Sequence, residues 1–302
     1  MSTGGAMRAP SGLLVVWKPK GMTSHDVVAA VRRLTGIRQV GHGGTLDPGA
    51  EGILPIAVGA STRLISWLRL DPKRYQGTAV VGVLTATGDA EGAAVGWSGP
   101  PWPRSADWQA AARWLEGERL QIPPRVSAIK QKGVPQYVLV RRGQAVVPPV
   151  RKVQVDRLRV VDVLSPHRFR FETTVGSGTY VRALVRDWGF LLGQAAHVEH
   201  LSRVGVGPWG PEDAVKLEAL LDLGARWRDA LRKPGPALAI PVVEVSARRV
   251  WEIRHGHIGP WAELWGRRGV VALGFRGEVL AVAEGPPWRY RAVLWAAEAS
   301  GS

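Results

Sequence analysis

The chain has 302 residues, a length that predicts about two domains, and 45% of its residues are hydrophobic. Its 40 Lys and Arg residues against 25 Asp and Glu residues give a net charge of +15, which favours a polyanionic partner or an anionic membrane surface. The absence of cysteine excludes disulfide scaffolds, thiol nucleophiles and cysteine-ligated metals. The apolar run Leu13–Trp17 is too short for a membrane span or a secretory signal, so we expect a cytoplasmic protein with no membrane contact.

Short apolar runs separated by turn residues predict small elements in the first half of the chain. The run Leu13–Trp17 has the length of a buried strand. Thr23 or Ser24 can cap the helix that follows, and Gly36 ends it. The remaining predictions here are a strand over 53–58 that Pro55 interrupts, a helix from Ser61 to Leu68, a strand over 75–83 and a helix from Ser105 to Gly117.

The second half predicts an alternating strand over 169–175 and a helix over 179–192. Strands and helices without a repeating βαβ period favour an α+β fold. Arg232–Pro236 is the predicted linker. We therefore expect a disordered tail over 1–10, one large domain over 11–235 and a small β-rich module over 241–302.

A long basic segment lies in the middle of the chain, since residues 119–155 contain no Asp or Glu. A solvated helix face usually mixes both signs of charge, so contacts with phosphate groups explain these cations better. The simpler alternative is a loosely ordered basic loop. The cations are Arg119, Arg125, Lys130, Lys132, Arg141, Arg142, Arg151 and Lys152.

The densest cluster of unusual residues is 41–52, which holds five glycines and a proline in twelve positions. Glycine weakens helix and strand interiors, so this is a loop that brings backbone close to a ligand. Asp47 lies at its centre and could act as a base or a nucleophile. Alternatively, Asp47-Pro48 forms a turn in which the aspartate binds only its own backbone.

The histidines offer little for a metal site. His197 and His200 flank Glu199, but the spacing is not His-Glu-x-x-His and no third ligand is evident. His255 and His257 lie in the C-terminal module. Core or surface positions explain these four histidines better, so no metal site is predicted.

The segment Gly44-Thr45-Leu46-Asp47-Pro48-x-Ala50-x-Gly52 closely resembles the signature of the tRNA pseudouridine-55 synthases, the TruB family. The similarity covers about residues 10–220. It implies a pseudouridine synthase domain with a mixed, mainly antiparallel sheet flanked by helices, and an RNA-clamping insertion at about 119–155. Further blocks match in the same order: Lys18-Pro19-x-Gly21, Lys73-Arg74-Tyr75, Gln121-Ile122-Pro123-Pro124, Ser127-Ala128-x-Lys130, Gly178-Thr179-Tyr180-Val181-Arg182 and Leu201-x-Arg203.

The last sixty residues resemble a PUA domain, a small β-barrel RNA-binding module. This similarity rests on strand spacing and on the glycine pattern around Arg254-His255-Gly256 and Ala272-Leu273-Gly274. The resemblance implies a second RNA-binding unit at the C-terminus.

The family resemblance also implies roles for single residues. Asp47 would act on a flipped uridine of the tRNA T-arm, breaking its C1′–N1 bond and rejoining the base through C5. Whether Asp47 attacks the base, attacks the sugar or removes a sugar proton stays open. Arg182 would pair with Asp47 and keep it ionised. The other implied roles are Tyr75 stacking on the base, Leu201 and Tyr180 as pocket walls, His42 entering the T-loop, and Arg125, Lys130, Lys132, Arg141, Arg142, Arg151 and Lys152 contacting the RNA backbone.

Two positions depart from the family pattern. Glu51 stands where the family usually has Thr or Ser, and we expect it to point to solvent or to a basic residue. Ser177 replaces a frequent Lys, which would remove one phosphate contact. Neither residue belongs to the implied pocket.

Isomerising uridine needs no redox partner or group donor, so we expect no cofactor. The short chain favours a stand-alone enzyme, monomeric and without an obligatory protein partner. The alternatives are a non-catalytic tRNA-binding or folding chaperone and a guide-RNA-dependent relative within a larger complex. The intact set of Asp47, Tyr75 and Arg182 favours the enzyme.

Overall fold

A computed structural model of the chain describes residues 10–126, 130–131, 134–136, 139, 142, 144 and 146–294. The predicted tail over 1–10 therefore lies outside the described residues, apart from Pro10. No described helix is long and apolar enough to cross a membrane.

The elements lie in the following order along the chain. The strands are β1 (Gly12–Lys18), β2 (Val40–His42), β3 (Glu51–Val58), β4 (Lys73–Val81), β5 (Val83–Thr85), β6 (Ala94–Trp97), β7 (Gly117–Gln121), β8 (Lys130–Gln131), β9 (Val134–Pro135), β10 (Arg151–Ser165), β11 (Arg168–Val175), β12 (Ala196–Val206), β13 (Val215–Lys216), β14 (Val242–Glu244), β15 (Gly269–Phe275), β16 (Glu278–Gly285) and β17 (Arg289–Val293). The α-helices are α1 (Ser24–Thr35), α2 (Ser105–Leu115), α3 (Val181–Leu191), α4 (Leu217–Asp222) and α5 (Ala247–Arg254), and 3₁₀ turns include Gly59–Trp67, Gly224–Ala230 and Gly235–Ala237.

One large sheet forms the centre of the molecule, with strand order β13-β1-β3-β12-β4-β11-β10-β7 and β2 added beside β3. The pairs β1–β13 and β3–β12 are parallel, and the other pairs of this sheet are antiparallel. Helices pack against the sheet, as in the contacts of α2 with β10 and of α3 with β12. The predicted α+β class with a mixed, mainly antiparallel sheet is thus confirmed.

The alternation of side chains along β1 divides the core. Leu14 and Val16 pack on Val27 and Val31 of α1, on one side of the sheet. Leu13 and Val15 point the other way, because successive side chains of a strand alternate between its faces. They join an apolar cluster that includes Ala272 and Val282 of the C-terminal strands, so the two parts of the chain share a core.

Local signals placed several elements correctly. Thr23 caps α1 by accepting a hydrogen bond from the Asp26 backbone, and Gly36 ends the helix with φ +70°.

The predicted interruption at Pro55 is wrong, because β3 runs unbroken and Pro55 pairs with Val15. The helix predicted from Ser61 is a 3₁₀ segment that begins at Gly59.

The predicted linker is not a free connection. Leu13 and Arg232 exchange two backbone hydrogen bonds, at 2.8 and 2.7 Å. Further along, the Ala239 backbone N–H donates to the Trp67 carbonyl at 2.8 Å. Both contacts attach this stretch to the large sheet and its 3₁₀ segment. From Val242 to Val293 the chain forms a four-stranded sheet, β14-β15-β16-β17.

The basic segment begins and ends inside the large sheet. Gln121 pairs with Arg151 and Gly117 with Val155 as β7 and β10 run antiparallel. The two ends of the predicted 119–155 segment, 119–121 and 151–155, are therefore strands of this sheet. Within the segment, β8 and β9 pair as a small hairpin.

Candidate active site

The glycine-rich loop between β2 and β3 carries Asp47. Gly44 has φ +96°, a conformation that other residues rarely adopt. The Ala50 backbone N–H donates to the Asp47 carbonyl at 3.1 Å, which closes a turn beside Pro48. The side chain of Asp47 does more than stabilise this turn, because its Oδ2 lies 2.8 Å from Nη2 of Arg182.

Arg182 lies in the first turn of α3 and is only 5% exposed. Its Nη1 donates to the Thr87 carbonyl at 2.6 Å and lies 3.3 Å from Oδ2 of Asp89. Its Nη2 also donates to the Val126 carbonyl at 3.2 Å. These contacts fix the guanidinium, so it can hold the Asp47 carboxylate in one place.

Gln121 positions the start of α3. Its side-chain amide nitrogen donates to the Tyr180 carbonyl at 3.2 Å, and its oxygen accepts from the Tyr180 backbone N–H at 2.9 Å. Gln121 is 1% exposed, so the pairing is sheltered from water. The end of β7 thereby sets the place from which Arg182 reaches Asp47.

A cavity of about 30 Å³ lies beside Asp47, and Arg182, Asp89, Val198 and Leu201 contribute to its walls. The wall contains acidic, basic and apolar groups, which suits a polar reaction on a partly apolar ligand.

Two buried cations, Lys18 and Arg203, donate hydrogen bonds to backbone carbonyls of the Asp47 loop and its neighbours. The Nζ of Lys18, at the end of β1, donates to the carbonyls of Met22 at 2.7 Å, Pro19 at 2.9 Å and Pro48 at 3.4 Å. Burial lowers the pKa of Lys18 to about 8, while the Asp47 charge opposes this shift. Lys18 thus ties the residue after Asp47 to the end of β1.

Arg203 on β12 is 1% exposed. Its guanidinium donates to the carbonyls of Ile53 at 2.8 Å, Thr45 at 3.1 Å and Gly44 at 3.2 Å. Its backbone also lies against Gly52, where an added Cβ would be 2.3 Å from the Arg203 carbonyl oxygen. Arg203 therefore anchors the loop on the other side of Asp47.

No role was predicted for Lys18 or Arg203, although both stand in the matched motif blocks. For Lys18 the available signal was a charged residue at the end of an otherwise apolar strand, whereas the strand of Arg203 contains other polar residues and gave no such signal. Such a charge is almost never fully buried unless it has partners, and here the partners are loop carbonyls.

The remaining predicted site residues fall into two groups. Leu201 lines the Asp47 cavity, and Tyr75 on β4, 8% exposed, belongs to the same apolar cluster as Leu46 and Leu201. Tyr180 precedes α3, and its ring is half-buried. Tyr180 and His42 lie outside the lining of the cavity.

His42 lies at the end of β2, where its ring meets the ring of His25 edge-on at 5.5 Å. Burial lowers the pKa of His42, and the positive charges of His25 and Arg203 lower it further. The neutral imidazole is therefore favoured.

The predicted backbone-binding cations are only partly described. Arg125, Arg142 and Arg151 are exposed. Lys152 is not an unopposed cation, because its Nζ lies 2.7 Å from Glu118, just outside the acid-free segment. Lys132 and Arg141, and the side chain of Lys130, lie outside the described residues.

Glu51 and Ser177, the two residues that depart from the family pattern, both have hydrogen-bond partners. Glu51 accepts a hydrogen bond from Ser202 at 2.9 Å and lies 3.4 Å from Nε2 of His200, so it points to a basic residue as expected. Ser177 accepts a hydrogen bond from Lys73 at 2.7 Å and donates one to Asp71 at 2.9 Å. Within the described ranges, no three His, Asp or Glu residues could together hold a metal ion.

Comparisons with known proteins agree on one family. Residues 32–181 match the TruB family pseudouridylate synthase N-terminal domain, and residues 182–239 match the tRNA pseudouridylate synthase B C-terminal domain. The chain is 40% identical to tRNA pseudouridine synthase B of Thermobifida fusca, over 90% of this chain and 94% of the relative. It is 37% identical to a Mycobacterium protein of the same name, over 94% and 95%.

Solved structures give the same answer for the fold. A chain from the crystal structure of a Cbf5-Nop10-Gar1 complex matches with a TM-score of 0.67 and 26% identity, over 91% of this chain and 78% of that one. A chain of the archaeal box H/ACA sRNP Nop10-Cbf5 complex matches with a TM-score of 0.69 and 22% identity, over 95% and 87%.

The mixed sheet with its flanking helices is the fold of the pseudouridine synthases. Within that class, the two matching family domains and the relatives that match over most of their length identify the family. The chain belongs to the TruB family of pseudouridylate synthases.

Proposed function

We propose that this chain is a tRNA pseudouridine synthase that isomerises the uridine at position 55 of the T-loop. The relatives at about 40% identity carry the name tRNA pseudouridine synthase B. The observation that carries the proposal is the ion pair of Asp47 with the buried Arg182, 2.8 Å long, at the edge of a cavity. A partly exposed carboxylate in this setting can reach a ligand while its charge is held by a fixed cation.

In the proposed reaction the target base is flipped out of the RNA into the pocket. The C1′–N1 bond breaks, the base turns, and a C1′–C5 bond forms. C5 then loses its proton to water and N1 gains one, so atoms and electrons balance without a cofactor. Asp47 supplies the anionic group of this exchange, as a nucleophile toward the base or the sugar or as a base toward a sugar proton.

The apolar and aromatic walls have a separate task. Tyr75 would stack on the flipped base, a contact worth about 1–3 kcal/mol per base, and Leu201 and Tyr180 would complete the pocket. The side chain of Tyr75 is in the cluster that contains Leu46, the neighbour of Asp47. His42 would fill the space that the base leaves in the T-loop, supported by its neutral, half-buried ring.

The net charge of +15 supports binding of the T-arm through phosphate contacts. We assign these contacts to the basic residues of the clamping insertion and its borders, and the C-terminal sheet to a PUA-like barrel over 241–302 that binds RNA, after a catalytic domain over 11–235. The enzyme would work in the cytoplasm as a monomer without a protein partner. The assigned cations are Arg125, Lys130, Lys132, Arg141, Arg142, Arg151 and Lys152.

The test uses two transcripts of one tRNA, each tritiated at C5 of a single uridine, either at position 55 or in another loop. Wild-type protein should release tritium to water from the first transcript only. Release from the second would show a different target. No release from either, with tight binding retained, would identify a non-catalytic tRNA-binding relative.

A further inference from the structure

Helix α5 in the C-terminal part of the chain has an outer face that the core does not explain. Val250 and Ile253 turn inward and pack with the C-terminal strands. Trp251 lies on the other side and is 61% exposed. A single exposed indole is ordinary on a protein surface, so its surroundings decide whether Trp251 forms a contact surface.

Two histidine rings lie parallel to this indole. The ring of His255 is stacked on Trp251 with centroids 4.1 Å apart and planes inclined by 29°. The ring of His257 is 6.1 Å from Trp251 and inclined by 15°. We call Trp251, His255 and His257 the ring stack. Its planes are nearly parallel, so a further flat aromatic group can extend it.

Backbone and side-chain contacts hold the ring stack in place. Nδ1 of His255 lies 2.8 Å from the Trp251 carbonyl. The His257 backbone N–H donates to the Glu252 carbonyl at 2.9 Å, and the Tyr290 hydroxyl donates to the His257 carbonyl at 2.8 Å. A ligand would therefore meet a preformed surface, and little side-chain entropy would be lost on binding.

The charge around the ring stack is positive. Arg248 lies one helical turn before Trp251, on the same face, and its side chain is 85% exposed. Glu252 lies 3.6 Å from Nε of Arg248 and 2.9 Å from Nη1 of Arg249, so two guanidinium groups face one carboxylate. Flat aromatic surface beside an exposed guanidinium is complementary to a nucleobase with its phosphate, more than to an aliphatic or acidic peptide face.

We propose that the ring stack binds an unpaired nucleobase of the RNA substrate, with the adjoining phosphate at Arg248. The base would stack on the exposed side of Trp251 and add affinity to that supplied around Asp47. This inference rests on the proposed function for the identity of the RNA. It adds a binding site that takes no part in the chemistry.

The experiment compares Trp251→Ala, Trp251→Phe and Trp265→Ala in the full chain. Trp265 is the matched control, because it is 87% exposed in the same part of the chain and no described ring stacks on it. For each protein, filter binding gives the Kd for a tRNA transcript at fixed salt. Single-turnover tritium release at saturating RNA gives the rate of the chemical step, and circular dichroism reports folding.

Trp251→Ala should weaken binding by about 5- to 150-fold, the loss of one stacked base, with an unchanged single-turnover rate. Trp251→Phe should restore most of the affinity, and Trp265→Ala should bind as wild type does. A further variant of the ring stack, His255→Ala, should also weaken binding.

Equal affinities for wild type and Trp251→Ala would overturn the proposal, and so would equal losses of affinity in Trp251→Ala and Trp265→Ala. If Trp251→Ala sediments differently from wild type in the absence of RNA but binds RNA equally well, the ring stack is a protein interface, and the proposal is overturned. If wild type binds tRNA but releases no tritium, the proposed function fails. The comparison of the Kd values still tests whether the ring stack binds RNA.

Discussion

Replacing Arg203 with Met should detach the Asp47 loop from the sheet. Three hydrogen bonds from the guanidinium to the carbonyls of Gly44, Thr45 and Ile53 would be lost. Bonds to a charged group contribute about 1.5–3 kcal/mol each. Water can reach the Thr45 carbonyl, since that residue is exposed, and removing a buried charge relieves part of its desolvation cost. We expect a net loss of roughly 2–4 kcal/mol.

The assay is urea unfolding of three proteins together with single-turnover tritium release. Arg170→Met is the control, because Arg170 lies on β11 of the same sheet, 61% exposed, in a surface pair with Asp162 at 3.5 Å. Such a pair contributes about 0–1 kcal/mol. Arg203→Met should lower both stability and the rate of the chemical step. If it unfolds and reacts as Arg170→Met does, Arg203 does not hold the loop.

The remaining predictions concern backbone space, pH and salt. Gly52→Ala should lower the urea midpoint more than Gly193→Ala: both glycines have positive φ, but a Cβ added at Gly52 would lie 2.3 Å from the Arg203 carbonyl oxygen and one at Gly193 would meet nothing within 4 Å. Equal losses would show that the clash relaxes. Lys18 has a folded-state pKa of about 8 against the ordinary 10.5, so the unfolded chain binds more protons between these values and the contribution of Lys18 to stability rises with pH there. Unfolding of wild type and Lys18→Met from pH 7.5 to 10.5 should show the wild type gaining relative to the variant, and a constant difference would contradict the shift. Affinity for tRNA should fall by roughly 10³-fold or more between 50 and 200 mM salt if about 6–8 phosphates are contacted, and a flat response in filter binding would refute the phosphate contacts.

Elements with local signals could be predicted from the sequence, whereas those that depend on distant partners could not. The helix over 24–35 carries its own cap at Thr23 and its own stop at Gly36, so neighbouring residues suffice to place it. The longest strand, Arg151–Ser165, was missed because exposed, charged residues obscure its alternation. Its pairing with β7 joins residues 30 to 38 positions apart, from Gln121–Arg151 to Gly117–Val155, which no local pattern shows.

Prediction of the candidate site shows the same limit. The glycine-rich composition of 41–52 made Asp47 a candidate but left open that it only forms a turn with Pro48. Its partner Arg182 is distant along the chain and was assigned only through the family resemblance. Lys18 and Arg203 act on backbone carbonyls of the loop. Carbonyls occur at every residue, so sequence alone cannot show which of them a buried cation will reach.

The most direct test of the central claim is tritium release from a tRNA labelled at C5 of uridine 55, with wild type and Asp47→Asn. Asparagine keeps the shape of the side chain and removes the charge that pairs with Arg182. The wild type should release tritium and the variant should release none while binding the same tRNA. Release by Asp47→Asn at the wild-type rate would show that the Asp47 carboxylate is not the catalytic group.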